Sequence, residues 1–393
     1  MESGAARCGP DRTIAVAGGY TTFADGRPDR TVMAAVCGPL PGRTVASPPM
    51  MLLVLGAREV RTLLPMAECI EVVDAALRQL AAGAAVQPLR HLMRLPAGTG
   101  LLGMMPAQLG GAGGEHGIKV VSVFPGNHGT GIDAHQGAVL LFEGRHGRLV
   151  AVLDGSAVTA IRTAAASAVA TRALARADAE SLALIGTGIQ ARTHLQAMLL
   201  VRKITSVRVA GRDLKRARQF ATAATARHGV TVTACADAEQ ASRGAAILCT
   251  TTNARAPVLR GAWLANGCHV NAVGACTPTT RELDGAAIAR ARLFTDRRES
   301  LLHEAGDFLL AKAEGLVGDD HVRGELGDVL IGRAPGRQNG DQVTVFKSLG
   351  IGVEDLAAAR HVVAAARARG RGSLVDFTDG EPDDATVDPD PAG

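Results

Sequence analysis

The stretch Leu182-Ala183-Leu184-Ile185-Gly186-Thr187-Gly188-Ile189-Gln190-Ala191 decides the fold. Four apolar residues run straight into G-x-G-x-x-A, and the sequence beyond reads as a helix. A first glycine makes the tight turn, a second lets backbone approach a pyrophosphate, and the small third residue lets helix and strand pack closely. The unpaired N–H groups at the helix start then face the anion. Alone the motif is weak; its setting strengthens it. Candidate strands at 181–185, 206–210, 230–234, 245–250, 268–273 and 292–295 alternate with helical stretches. That alternation implies a parallel sheet covered by helices on both faces, a Rossmann α/β fold that binds a dinucleotide.

The end of the second strand bears on which dinucleotide. An acid there usually holds the ribose 2′-hydroxyl of NAD. Here Val209-Ala210 is followed by Gly211, then Arg212-Asp213-Leu214-Lys215-Arg216. A missing carboxylate removes repulsion toward a 2′-phosphate, and a guanidinium pairs with it, so NADPH is favoured over NADH. The alternative is that Arg212, Lys215 and Arg216 form a solvated helix start. Asp213 then serves NAD or is only an N-cap.

Upstream the style changes. Residues 52–155 open with a strand-like run and a helix whose Ile70, Val73, Leu77 and Leu80 share one face. Short strands at 89–95, 100–105, 117–124, 137–143 and 149–154 follow, separated by Gly and Pro. An Ala-rich helix from about Thr159 to Ala175 joins the two regions. Downstream, Gln342–Phe346 reads as a strand, and a helix over 353–369 is expected to pack back on the first region. The expected division is therefore a discontinuous α+β substrate and dimerisation domain (50–178 and 346–377) around a Rossmann domain (179–345). Residues 1–49, rich in Gly, Pro, Ala and Arg, are expected to be disordered or an over-extended reading frame with the true start at Met50 or Met51. Residues 378–393 read as a disordered acidic tail; Asp379 to Asp390 holds six acids and no base.

Composition narrows the function classes. The chain has 393 residues, 47% apolar, enough for two cores. Aromatics make up 3% and the net charge is +4 with scattered arginines, which argues against nucleic-acid binding. No apolar run approaches the length of a membrane span, and the N-terminus lacks a secretory h-region. Seven cysteines without a C-x-x-C pair fit reduced thiols in a cytoplasmic protein. No metal site is expected.

Three cations are read at segment ends rather than on obvious solvent faces. Arg90 follows Pro88-Leu89, Lys119 sits in the otherwise apolar strand Gly117–Val121, and Arg162 is read into the first turn of the Ala-rich helix. A cation there opposes the helix dipole and needs another reason, such as an anionic ligand. A lone strand lysine, however, commonly snorkels to water.

Together these motifs resemble the ornithine cyclodeaminase/μ-crystallin family from about Met51 to Phe377. The matching stretches are Gln87-Pro-Leu-Arg90, Gly103-Met-Met-Pro106, Ile118-Lys119-Val120, Thr159-Ala-Ile-Arg162-Thr163-Ala-Ala, Gly186-Thr-Gly-Ile-Gln-Ala191, Val270-Asn-Ala-Val-Gly274, Glu325-Leu-Gly-Asp-Val329 and Thr344-Val-Phe-Lys-Ser-Leu-Gly350. The resemblance implies a Rossmann domain joined to a substrate domain that also forms a homodimer. It implies that Arg90, Lys119 and Arg162 hold or adjoin a substrate α-carboxylate, with Lys119 as the candidate catalytic residue. Thr163, Gly186, Gly188, Ile189, Gln190, Gly211, Arg212, Thr250, Val273 and Cys276 are then the candidate cofactor contacts.

One departure matters. The family's cyclodeaminases carry an Asp two residues after the Gly of the N-A-V-G motif; here Cys276 stands there. A thiol of ordinary pKa near ~8.5 is a poor carboxylate substitute. The texture of Glu304-Ala-Gly-Asp307 and Phe346–Gly350 also resembles μ-crystallin. The expected activity is reduction of a small α-imino acid, of the ketimine, pyrroline-2-carboxylate or piperideine-2-carboxylate type, by NAD(P)H. The alternatives are an ornithine or lysine cyclodeaminase, an alanine-type amino-acid dehydrogenase, and a non-catalytic NADP-dependent binder.

Overall fold

The computed structural model describes residues 51–127 and 130–377. The expectations for 1–49 and for the acidic tail lie outside these residues. Two eight-stranded sheets organise the described chain. The first contains β1 (Met51–Leu55), β2 (Ala85–Val86), β3 (His91–Arg94), β4 (Leu101–Leu109), β5 (His116–Val123), β6 (His135–Phe142) and β7 (Leu149–Asp154). β4 to β7 form an antiparallel meander, and β1 returns parallel to β7.

The meander obeys the period of two. Gly103, Met105, Ala107 and Leu109 of β4 are buried, as are Val139 and Leu141 of β6 and Leu153 of β7. The alternate residues Leu102, Met104, Pro106, Ile118, Val120, Leu140 and Val152 are apolar too, yet only half-buried. Register places them on one face: Met104 is opposite Val120, Pro106 opposite Ile118, Ile118 opposite Leu140, and Leu140 opposite Val152.

The helix Gly155–Leu174 follows β7 without a loop and packs against both sheets. Its alanines are buried around most of its circumference, which is why small residues fill it. Asp154 caps it, accepting from Ala157 N at 2.7 Å. This start lies four residues before the expected Thr159. Arg162 therefore sits in the body of the helix, where the dipole argument has no force. Lys119 likewise lies mid-strand in β5, so of the three cations only Arg90 stands at a segment end.

The second sheet is parallel throughout, in the order β10-β9-β8-β11-β12-β15-β13-β14. Its strands are β8 (Ser181–Ile185), β9 (Ser206–Ala210), β10 (Thr231–Ala234), β11 (Ile247–Thr250), β12 (His269–Ala272), β13 (Arg292–Thr295), β14 (Val322–Glu325) and β15 (Thr344–Lys347). Because β15 runs to Lys347, this sheet extends past the expected boundary at 345. The order reverses beside β8, making the crevice in which doubly wound folds bind nucleotides.

After β15 the helix Gly352–Arg369 packs on β4, β5 and β6. Its first residue has to be small, since a Cβ at Gly352 would stand 2.8 Å from Pro106 O. Finally β16 (Ser373–Asp376) pairs antiparallel with β1 and completes the first sheet.

Candidate active site

At the carboxyl ends of β8, β9 and β11 opens a cleft of about 2000 Å³. Gly186, Thr187, Gly188 and Ile189 line it, as do Gly211, Arg212 and Arg216 across the switch point. Gly186 has φ +125°, and a Cβ there would meet Thr251 Oγ1 at 2.7 Å. Only glycine makes that turn. Gly188 precedes the helix Ile189–Val201 and leaves its first N–H groups without a side-chain cap. Ala191 is wholly buried against the sheet. A glycine turn, uncapped helix N–H donors and a cleft of this size at the switch point fit a dinucleotide pyrophosphate.

Past β9, a Cβ at Gly211 would crowd Thr187 Cγ2 at 3.1 Å. Arg212 and Arg216 face the cleft, whereas Asp213 Oδ1 accepts from Lys215 N (2.8 Å) and Arg216 N (3.3 Å). Asp213 is thus the N-cap of the next helix.

Other candidates stand back from the cleft. Thr163 and Val273 are buried. Thr250 is buried and donates its hydroxyl to Glu282 Oε2 at 2.8 Å. Gln190 is half-buried beside the phosphate turn. Cys276 follows β12, its Sγ 3.4 Å from Val273 O and 3.9 Å from Ser348 O.

The structure brings the three cations together. Their side chains are 14% (Arg90), 4% (Lys119) and 4% (Arg162) exposed. Asp355 links two of them: Oδ2 lies 2.8 Å from Lys119 Nζ and Oδ1 accepts from Arg162 Nε at 2.8 Å. Arg162 Nη1 donates to Glu354 Oε2 at 2.9 Å, and Lys119 Nζ reaches Thr159 Oγ1 at 3.3 Å. Arg90 Nη2 donates to Leu349 O (2.9 Å) and pairs with Glu304 Oε2 (2.6 Å). The Leu349–Gly350 turn is itself fixed by Asp296, whose Oδ2 accepts from both backbone N–H groups.

Electrostatics follow from this crowding. Burial, then the neighbouring Arg162, bring the Lys119 ammonium down to about 8; Asp355 opposes them only in part. Burial pushes the Glu354 carboxyl up to about 8 despite Arg162. Burial also acts to raise Asp355, but Arg162 and Lys119 outweigh it and hold that carboxyl below its ordinary range. Each of the three cations thus has a buried acid beside it: Lys119 and Arg162 share Asp355, Arg162 also reaches Glu354, and Arg90 pairs with Glu304.

Sequence reasoning did not find these acids. Glu354 and Asp355 occupy the first turn of a helix, where acids are unremarkable complements of the dipole. Asp296 and Glu304 lie far along the chain and reach the cations only through the packing of the two sheets' elements. Among the described residues no cluster of His, Cys, Asp and Glu is arranged to hold a metal.

A sequence model of the ornithine cyclodeaminase/mu-crystallin family matches residues 50–370. The ketimine reductase mu-crystallin of Mus musculus is 38% identical over 282 residues, 71% of this chain and 85% of that protein. Among solved structures, Thermococcus litoralis Delta(1)-pyrroline-2-carboxylate reductase in complex with NADH and L-proline superposes with TM-score 0.80. It is 34% identical and covers 82% of this chain and 100% of its own. An archaeal alanine dehydrogenase dimer with bound NAD gives TM-score 0.79 at 32% identity, covering 84% and 100%.

Proposed function

The chain belongs to the ornithine cyclodeaminase/mu-crystallin family, and we propose from its site that it is an NAD(P)H-dependent reductase of small α-imino acids. The observation that carries this reading is the thiol of Cys276, half-buried beside the cation cluster, where the cyclodeaminase resemblance calls for a carboxylate. Its relatives include a ketimine reductase and a pyrroline-2-carboxylate reductase.

The cofactor supplies the hydride that reduces the C=N carbon. The chain's residues do the rest. Arg90 and Arg162 hold the substrate carboxylate, and fixing it leaves the imine with one orientation toward the cleft. Lys119, an ammonium at neutral pH, adds charge beside that carboxylate and is the candidate proton source for the imine nitrogen. Burial of the cluster strengthens each of these interactions.

NADPH is the favoured cofactor. Arg212 and Arg216 line the cleft, Gly211 replaces an acid, and Asp213 is engaged as a cap. The half-buried apolar face of β4 to β7 supports a homodimer formed through that face, in keeping with the dimeric archaeal neighbour. Among the described residues no helix is long and apolar enough to cross a membrane. The five cysteines described are free, in keeping with a reducing, cytoplasmic setting.

The test is a nicotinamide-oxidation assay over a substrate panel. Pyrroline-2-carboxylate, piperideine-2-carboxylate, and pyruvate with ammonia or methylamine are compared, beside ornithine. Turnover of a cyclic or open imine is expected. Ammonia release from ornithine without net cofactor oxidation selects a cyclodeaminase. Tight NADPH binding with no turnover selects a binder.

A further inference from the structure

Glu282 is wholly buried, is not among the residues lining the cleft described above and carries no role in the reaction above, yet its carboxylate accepts four hydrogen bonds from the end of β11, the loop that follows it and the loop after β12. Oε1 takes Thr252 N at 2.6 Å and Thr252 Oγ1 at 2.7 Å. Oε2 takes Gly274 N at 2.6 Å and Thr250 Oγ1 at 2.8 Å. Thr250 is the last residue of β11 and Thr252 lies in the loop that follows it, and Gly274 lies in the loop after β12. We propose that Glu282 is a positioning residue that clamps these two loops together and so shapes the nicotinamide end of the dinucleotide cleft.

The location follows from topology. Gly211 and Arg212 lie beyond β9, on one side of the phosphate turn after β8; β11 and β12 lie on the other. A dinucleotide crossing the switch point with its adenosine toward β9 places its nicotinamide toward β11 and β12. Thr251 and Thr252 line the cleft there. Thr251 also abuts the phosphate turn, its carbonyl oxygen 2.9 Å from the Cβ position of Gly186.

The clamp is held from behind. Glu282 N and Leu283 N both donate to Asp307 Oδ1, at 2.7 and 2.8 Å, and Asp307 Oδ2 lies 2.9 Å from Lys347 Nζ at the end of β15. The two loops also meet directly. A Cβ at Gly274 would stand 1.9 Å from Thr252 O, so no other residue fits. A buried carboxylate is costly unless every lone pair finds a donor. Here the donors come from the β11 end and the two loops alone, and fixing those loops is what the burial accomplishes.

Each oxygen receives one backbone N–H and one hydroxyl, which makes the isosteric amide informative. A hydroxyl can rotate to accept from an amide NH₂; a backbone N–H cannot. Whichever way it is flipped, Glu282→Gln sets its NH₂ against either Thr252 N or Gly274 N and frees one loop. Thr250→Val removes a single hydroxyl bond and keeps strand-compatible shape.

The inference rests on reading the cleft as a dinucleotide site, and two classes of probe separate the two. ADP-ribose and 2′-phospho-ADP-ribose report the adenosine and phosphate half; NADH and NADPH report the whole. In Glu282→Gln the fragments are expected to bind within about twofold of native, while the matching dinucleotide weakens about tenfold, the scale of one lost charge-assisted bond. Thr250→Val is expected to show the same asymmetry at smaller size, and decides the matter if Glu282→Gln does not fold. Equal losses for fragment and dinucleotide, or no loss for either, overturn the clamp. Native protein that binds fragments but neither dinucleotide overturns it too, and native protein that binds no probe overturns the reading of the cleft itself.

Discussion

Gly350 lies directly over the Arg162 guanidinium: a methyl at Gly350 would stand 2.5 Å from Nη1 and 2.8 Å from Nη2. The residue has φ +74°, a conformation that costs another residue about 1 kcal/mol or more. Gly350→Ala therefore strains the turn and displaces Arg162 from Glu354 and Asp355. We expect lower thermal stability and a loss of about tenfold or more in kcat/KM for the imino acid, at the scale of one charge-assisted bond. Cofactor affinity should hold. Native KM and melting temperature in this variant would show that the guanidinium moves aside freely.

Lys119 sets a pH limit. Its ammonium, brought down to about 8, loses its charge as pH rises through that value. Free-enzyme kcat/KM should then fall above about pH 8, where Glu354, pushed up to about 8, also gains its charge. Lys119→Arg should have a lower plateau and a shallower descent, because a guanidinium stays charged and only Glu354 still titrates. The stability sign is opposite. Between about 8 and the ordinary 10.5 the unfolded chain binds the extra proton, so stability rises with pH across that window. The burial of Lys119 costs most below it. Denaturant midpoints of native protein and Lys119→Met across this range test the sign.

Arg212 should decide between cofactors. Arg212→Ala is expected to weaken NADPH by about 1.5–3 kcal/mol and NADH little, since only NADPH offers the phosphate. Asp213→Ala should cost about 1 kcal/mol of stability as a lost cap and leave the preference unchanged. Equal losses for both cofactors with Arg212→Ala, or a native preference for NADH, would sink the assignment.

The open sheet face should be a subunit interface. Val120 and Leu140 lie on it in adjacent strands, and a lysine at either puts an unpaired charge into it. Val120→Lys or Leu140→Lys should sediment as a folded monomer where native protein is a dimer. A native monomer, or variants that remain dimeric, would place the interface elsewhere or remove it.

What the sequence made legible was what is local. The strand–helix alternation, the turn at Gly186 and the meander strands all rest on period and punctuation over a few residues. Short strands without such a signal went unread: β2 has two residues, and β14 and β16 are defined by their partners β13 and β1. The helix start at Gly155 escaped because strand and helix share no loop, and the reading of Arg162 shifted with it. Cations at odd positions pointed to the cluster, but Asp355, Glu354 and Glu304 have ordinary local settings. Their burial comes from tertiary packing alone.

Cys276 gives the sharpest division between readings. Burial raises its thiol pKa, with Lys347 and then Arg90 opposing, and Asp296 and Glu282 adding to the rise. The group is therefore a neutral thiol at physiological pH, set between two cations and two carboxylates. Cys276→Ser keeps a small neutral donor able to reach Val273 O, so imine reduction should stay close to native. Cys276→Asp adds a carboxylate near Arg90, one of the two arginines assigned to the substrate carboxylate, and the two compete for it. We expect it to lose imine reduction, chiefly in KM, and to gain at most a trace of ornithine cyclisation. Rate constants for each variant on pyrroline-2-carboxylate and on ornithine decide it. If Cys276→Ser loses 100-fold in imine reduction, about 2.7 kcal/mol of barrier, the thiol takes part in the chemistry. If native protein makes proline from ornithine efficiently, the missing carboxylate is not what separates reductase from cyclodeaminase, because a neutral thiol will have done the work assigned to a base.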